Sequence, residues 1–144
     1  MENKQLCLPK PKEKAVLCLP KSELSFLIAD DEPSLVKISA NQLNRQYPNC
    51  KLATATNGRE LLDHASRERY DIIITDYRMP VINGLDAIKN LRAIGNKTPV
   101  IITTGTPDES VCRYADDPVN LVSLFEKPFQ FEELKSEINK YLNL

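Results

Sequence analysis

Carboxylates, a hydroxyl and a lysine stand in this chain where runs of apolar residues end. Asp30, Asp31 and Glu32 follow Phe26-Leu27-Ile28-Ala29, and Asp76 follows Ile72-Ile73-Ile74-Thr75. Thr104 follows Val100-Ile101-Ile102-Thr103, and Lys127 comes after Leu121-Val122-Ser123-Leu124-Phe125. Carboxylates crowded together repel one another and at neutral pH call for a hard divalent cation. Mg²⁺ suits such a set, because it takes oxygen ligands, keeps some waters, and binds through one or two carboxylates plus a phosphate oxygen. A carboxylate beside such a metal can attack phosphorus and form an aspartyl-phosphate. Phosphoryl transfer then depends on positioning and on neutralising the equatorial oxygens. The metal would serve one oxygen, Lys127 a second, and a hydroxyl with local backbone N–H groups the third.

This chemistry works only if distant segments meet. The apolar runs, with Lys51-Leu52-Ala53-Thr54, read as five short strands, three of them apolar enough to be central parallel strands covered on both faces. Helical periods lie between them. Val36, Ala40, Leu43 and Tyr47 follow Pro33, which suits a first-turn position. Leu61, Leu62 and Ala65 follow Asn57-Gly58, and Leu85, Ile88 and Leu91 follow Asn83-Gly84. Phe131, Leu134, Ile138, Tyr141 and Leu142 mark the last helix, and Pro107 to Ala115 the weakest. Five βα units imply an α/β sandwich with a parallel sheet and right-handed crossovers. Every strand of such a sheet ends on one edge, where ligands bind. The acidic pair, Asp76, Thr104 and Lys127 are therefore expected in one crevice.

A chain of 144 residues is the size of one domain and can bury a core without disulfides. With 42% hydrophobic residues and a formal net charge of -1, there is no electrostatic case for a nucleic-acid or membrane binder. No apolar stretch approaches the roughly 20 residues that span a bilayer, and no signal peptide is visible. A cytoplasmic location is expected. Cys7, Cys18, Cys50 and Cys112 form no CxxC pair and the single His64 has no partner at ligand spacing, which argues against zinc. Residues 1–23 form a separate extension holding Lys4, Lys10, Lys12, Lys14 and Lys21 with three prolines, expected to be flexible; Leu-Cys-Leu-Pro-Lys occurs in it twice.

Asp30-Asp31, Asp76-Tyr77-Arg78-Met79-Pro80 with Asn83-Gly84, Thr104-Gly105 and Lys127-Pro128-Phe129 together resemble the receiver domains of two-component response regulators. The resemblance spans residues 24–144. It implies a flavodoxin-like three-layer sandwich with five helices and strand order 2-1-3-4-5. It further implies that Asp76 is the phosphoacceptor and that Asp31, Asp76 and the backbone carbonyl of Arg78 ligate Mg²⁺, with Asp30 acting largely through water. Thr104, chosen over Thr103 because Gly105 follows it, and Lys127 would bind phosphoryl oxygens, and the Lys127-Pro128 bond would be cis. The implied partners are a histidine kinase or histidine phosphotransfer protein and an unknown downstream protein, with output by protein binding or onward relay because no output module follows within the chain.

Two departures from the family pattern stand out. Leu124 occupies the position where an aromatic switch residue is usual, with Phe125 beside it. Arg78 and Thr106 stand two places after Asp76 and Thr104, positions that in the family help set phosphate lifetime; a bulky Arg78 would shield the phosphorus and slow autodephosphorylation, or pair with an acidic neighbour. Competing readings are a receiver-like interaction module that is never phosphorylated, and a Mg²⁺-dependent phosphohydrolase. The second would commonly use an Asp where Arg78 stands.

Overall fold

A computed structural model describes residues 23–105 and 121–144. Five strands form one parallel sheet: β1 (Ser25–Ala29), β2 (Lys51–Ala55), β3 (Ile72–Asp76), β4 (Val100–Thr104) and β5 (Leu121–Glu126). The strand order is β2-β1-β3-β4-β5, as the resemblance implies. Four helices are described: α1 (Pro33–Gln46), α2 (Gly58–Arg67), α3 (Gly84–Ala93) and α4 (Phe131–Leu142). The helix expected over Pro107 to Ala115, residues 1–22 of the extension, and three of the four cysteines lie outside the described residues.

Side-chain alternation along the strands builds the three layers, since successive residues point to opposite faces. Leu27, Ile73, Val100 and Ile102 share one core with Leu61 of α2 and Leu85, Ile88 and Leu91 of α3. Phe26, Ile28, Ile72, Ile74 and Ile101 share the other with Leu43 of α1 and Leu134 and Ile138 of α4. The almost wholly apolar β1, β3 and β4 are buried along their full length, whereas β2, which bounds the sheet, keeps Lys51 and Thr54 exposed. Each fully buried Ile or Leu contributes roughly 1.5–3 kcal/mol. Tyr141, one of the residues that mark the last helix, is 42% exposed. It lies in the last turn of α4, where Leu142 packs against the core.

Local signals place the helix starts at the ligand edge. The side chain of Asn57 accepts the Glu60 amide (2.9 Å), and that of Asn83 accepts the Asp86 amide (2.8 Å). Glu133 reaches back to the Gln130 amide at the start of α4 (2.9 Å). The far edge is tied by side chains. Tyr47 donates to Asn139 Oδ1 (2.6 Å), joining α1 to α4. Asn96 donates to the Ala65 carbonyl (3.1 Å) while its Oδ1 accepts from both the amide and hydroxyl of Thr98 (3.0 and 2.7 Å).

Candidate functional site

Asp76 and Thr104 are the last residues of β3 and β4, one step later than the apolar runs alone suggest, and Asp30 and Lys127 directly follow β1 and β5. The parallel register sets Asp76 beside Thr103, and it sets Thr104 beside Glu126. The carboxylates converge. One oxygen from each of Asp30, Asp31 and Asp76 lies within 4.8 Å of the others, the one such group among the described residues. Asp30 and Asp76 are each only 8% exposed, while Asp31 is open to solvent.

Lys127 holds the pair of buried carboxylates together. Its Nζ donates to Asp30 Oδ2 at 2.9 Å and lies 3.5 Å from Asp76 Oδ1. The other oxygen of Asp30 accepts the Glu32 amide (3.0 Å), which fixes the acidic turn before α1. The Lys127 amide donates to the Thr104 carbonyl (2.8 Å), and the Lys127-Pro128 bond is cis. Burial pushes the Asp76 carboxyl up to about 6; Lys127 opposes that rise, and Asp30 and Asp31 add to it. Burial also works against the charge on Lys127, but hydrogen bonds and attraction from Asp30 and Asp76 outweigh it and raise its pKa. Three crowded carboxylates with one lysine leave excess negative charge in a partly dry pocket. The donors are all oxygen, from two buried groups and one that faces water, which fits Mg²⁺.

Thr104 is 1% exposed at the same edge. The guanidinium of Arg78 lies over the Tyr77 ring, 5.4 Å from its centroid. The loop holding Arg78 is closed by the Gly84 amide, which donates to the Tyr77 carbonyl (2.8 Å), and by the Tyr77 amide, which donates to Thr103 of β4 (2.8 Å). Inside it the Ile82 amide donates to the Pro80 carbonyl (2.8 Å) around Val81, whose φ is 71°. That is a γ-turn of the rare, strained hand. Val81 is 77% exposed. Phe125 packs on the α1/α4 side of the sheet, its ring centroid 5.1 Å from that of Phe129, whereas Leu124 packs on the α2/α3 side. The two neighbouring side chains thus lie on opposite faces of the sheet.

Sequence reasoning marked Gly58 and Gly84 at helix starts but missed the backbone contacts by which they let this loop sit where it does. A Cβ on Gly84 would fall 2.2 Å from the Asp76 carbonyl oxygen, and one on Gly58 would fall 1.9 Å from that of Ile82. The recurring Asn-Gly pair at two helix starts was the available signal.

Residues 26–139 match the family model of the response regulator receiver domain. This chain is a response regulator receiver. It is 26% identical over 119 residues to sporulation initiation phosphotransferase F of Bacillus subtilis, covering 83% of this chain and 94% of that relative. It is 33% identical over 117 residues to the response regulator ArlR of Staphylococcus aureus, covering 81% of this chain and 52% of that one. The receiver thus spans about half the length of several curated relatives it matches. Among solved structures, the response regulator TrrA of Thermotoga maritima in complex with Mg(2+)-BeF superposes with a TM-score of 0.68 at 28% identity, covering 81% of this chain and 97% of that one. No helix among the described residues is long and apolar enough to cross a membrane.

Proposed function

We propose that this receiver takes a phosphoryl group on Asp76 and signals by the change in charge and shape at its ligand edge. The observation that carries the reading is the meeting of Asp30, Asp31 and Asp76 around Lys127, whose Nζ lies 2.9 Å from Asp30 and 3.5 Å from Asp76. Asp31, Asp76 and the Arg78 carbonyl would hold Mg²⁺, with Asp30 acting largely through water. When bound, the ion supplies positive charge to phosphoryl oxygens and relieves repulsion among the carboxylates. TrrA, a structure with Mg(2+)-BeF bound, supports the choice of ion.

In the transfer, an Asp76 carboxylate oxygen forms a bond to phosphorus as the bond from phosphorus to the donor breaks. The bonding pair leaves with the donor, which takes a proton from water. Lys127, already between Asp30 and Asp76, neutralises one phosphoryl oxygen, and Thr104 donates to another. The donor is a phosphohistidine on a histidine kinase or phosphotransfer protein, in line with the phosphotransferase and hybrid kinase among the relatives. The output is binding to a downstream protein or onward relay. Residues 24–144 are the receiver, and residues 1–23 an extension to it.

Incubation with Mg²⁺ and acetyl phosphate, followed by intact mass, tests this. One phosphoryl adduct that needs Mg²⁺ and is lost in Asp76→Asn is the expected result. Absence of any adduct would point to an interaction module that is not phosphorylated, and steady turnover of varied phosphate esters to a hydrolase. Shielding by Arg78 predicts a slowly decaying adduct, and a half-life of seconds would count against that shielding.

A further inference from the structure

We propose that Gly58, at the start of α2, is a positioning residue for the magnesium site, although it belongs to a different βα unit from every proposed ligand. The inference rests on the metal reading above. Ile82 lies in the loop that also carries the Arg78 carbonyl, and its own carbonyl sits on the bare Cα of Gly58. A Cβ there would meet the Ile82 oxygen at 1.9 Å, its carbonyl carbon at 2.7 Å and its Cβ at 2.9 Å. Two of those three atoms are backbone, so no rotamer change relieves the contact. Real Cβ atoms essentially never approach closer than 3.0 Å, so loop or helix must give by about 1 Å.

The loop has little room to give. Its ends are joined by the hydrogen bond from Gly84 to Tyr77 (2.8 Å), and its middle is folded into the strained turn at Val81. Gly84 in turn rests against the Asp76 carbonyl, where a Cβ would fall at 2.2 Å. The start of α2 is also held, since Asn57 accepts the Glu60 amide (2.9 Å) and Glu60 accepts the Thr56 amide (2.7 Å). Two rigid pieces thus touch backbone to backbone, and the contact fixes how far the loop stands from Asp76. Mg²⁺ demands near-ideal octahedral geometry, so it punishes such a displacement more than a softer ion would.

Gly58→Ala tests this beside Gly95→Ala. Gly95 has φ +86° and open space around it, so its substitution strains the backbone after α3 without touching the loop. Mg²⁺ affinity would be measured by calorimetric titration, at a temperature where circular dichroism shows each variant folded. Gly58→Ala is expected to weaken Mg²⁺ binding at least tenfold, with Gly95→Ala unchanged. Equal affinity in Gly58→Ala and wild type would overturn the proposal. Should Gly58→Ala not fold, amide exchange in the wild-type protein decides the matter. Saturating Mg²⁺ is expected to slow exchange of the Glu60 and Leu61 amides, in the first turn of α2, at least threefold, and unchanged rates there would refute the coupling. Failure of wild type to bind Mg²⁺ at all would instead sink the metal reading itself.

Discussion

Removing the charge of Asp76 is expected to make the metal-free protein more stable while abolishing its response to Mg²⁺. Burial lifts the Asp76 carboxyl from 3.8 to about 6, so the ionised form is worse off in the folded chain than in the unfolded one. With the folded value raised, the stability held below the unfolded value is lost as pH rises from about 4 through about 6, and the loss is complete at neutral pH. A shift of about two units corresponds to a ceiling of ~3 kcal/mol, at 1.36 kcal/mol per unit. That ceiling already counts the attraction to Lys127 at 3.5 Å, a lysine that keeps Asp30 at 2.9 Å, so what lowers it is the cost of burying the amide of Asn with its hydrogen bonds only partly met. The net gain for Asp76→Asn is therefore about 1–2 kcal/mol. Urea denaturation at pH 7.5 in EDTA measures it directly. In excess Mg²⁺ the wild type should gain stability and the variant should not, because only the wild type binds the ion well. A variant no more stable than wild type in EDTA would refute the claim that the carboxylate is held there against its own solvation.

Three further outcomes follow from single contacts. Tyr70, whose phenol burial and the Glu68 carboxylate push up to about 12, stabilises the fold fully below pH 10 and loses that contribution as pH rises through 12. The difference in urea stability between wild type and Tyr70→Phe should accordingly change across pH 10–12 and stay flat from pH 7 to 9. Asn96→Ala removes the hydrogen bonds to Ala65 and Thr98 and should cost about 2 kcal/mol by urea melt, with Mg²⁺ affinity unchanged because the loop lies at the far edge. Val81→Gly relieves the left-handed conformation of a β-branched residue and should raise stability by about 1 kcal/mol; a lower melting temperature would show that the exposed Val81 side chain supports the fold.

Strand order and site membership were legible for different reasons. Ile72-Ile73-Ile74 can only be a strand covered on both faces, and the acids and lysine at the strand ends had to meet once the sheet was parallel. That much is periodicity and topology. Apolar composition marked β1, β3 and β4 as central, but the full order 2-1-3-4-5 came from family resemblance, because nothing in those runs ranks them against one another. Tyr141 correctly marked the last helix by its spacing, yet it is exposed, because a helical period says that a residue belongs to a helix and not how deeply it is buried. Leu124 and Phe125 illustrate the opposite case. Once Ile102 pairs with Leu124 and Thr103 with Phe125, alternation puts the two side chains on opposite faces.

The loop after Asp76 resisted sequence reasoning because its shape depends on what two glycines lack. Asn-Gly reads locally as a helix cap followed by a permissive residue, and at both sites that reading is correct. What it conceals is the backbone of another segment lying where a Cβ would be. Such a contact has no period, no charge and no side chain to announce it. The acids, the lysine and the threonine define which chemistry the edge can perform, yet their types alone do not set the distance from the Arg78 carbonyl to Asp76. In this receiver that distance depends on backbone resting on backbone at Gly58 and Gly84, and on a Val81 conformation that the rest of the loop must hold in place.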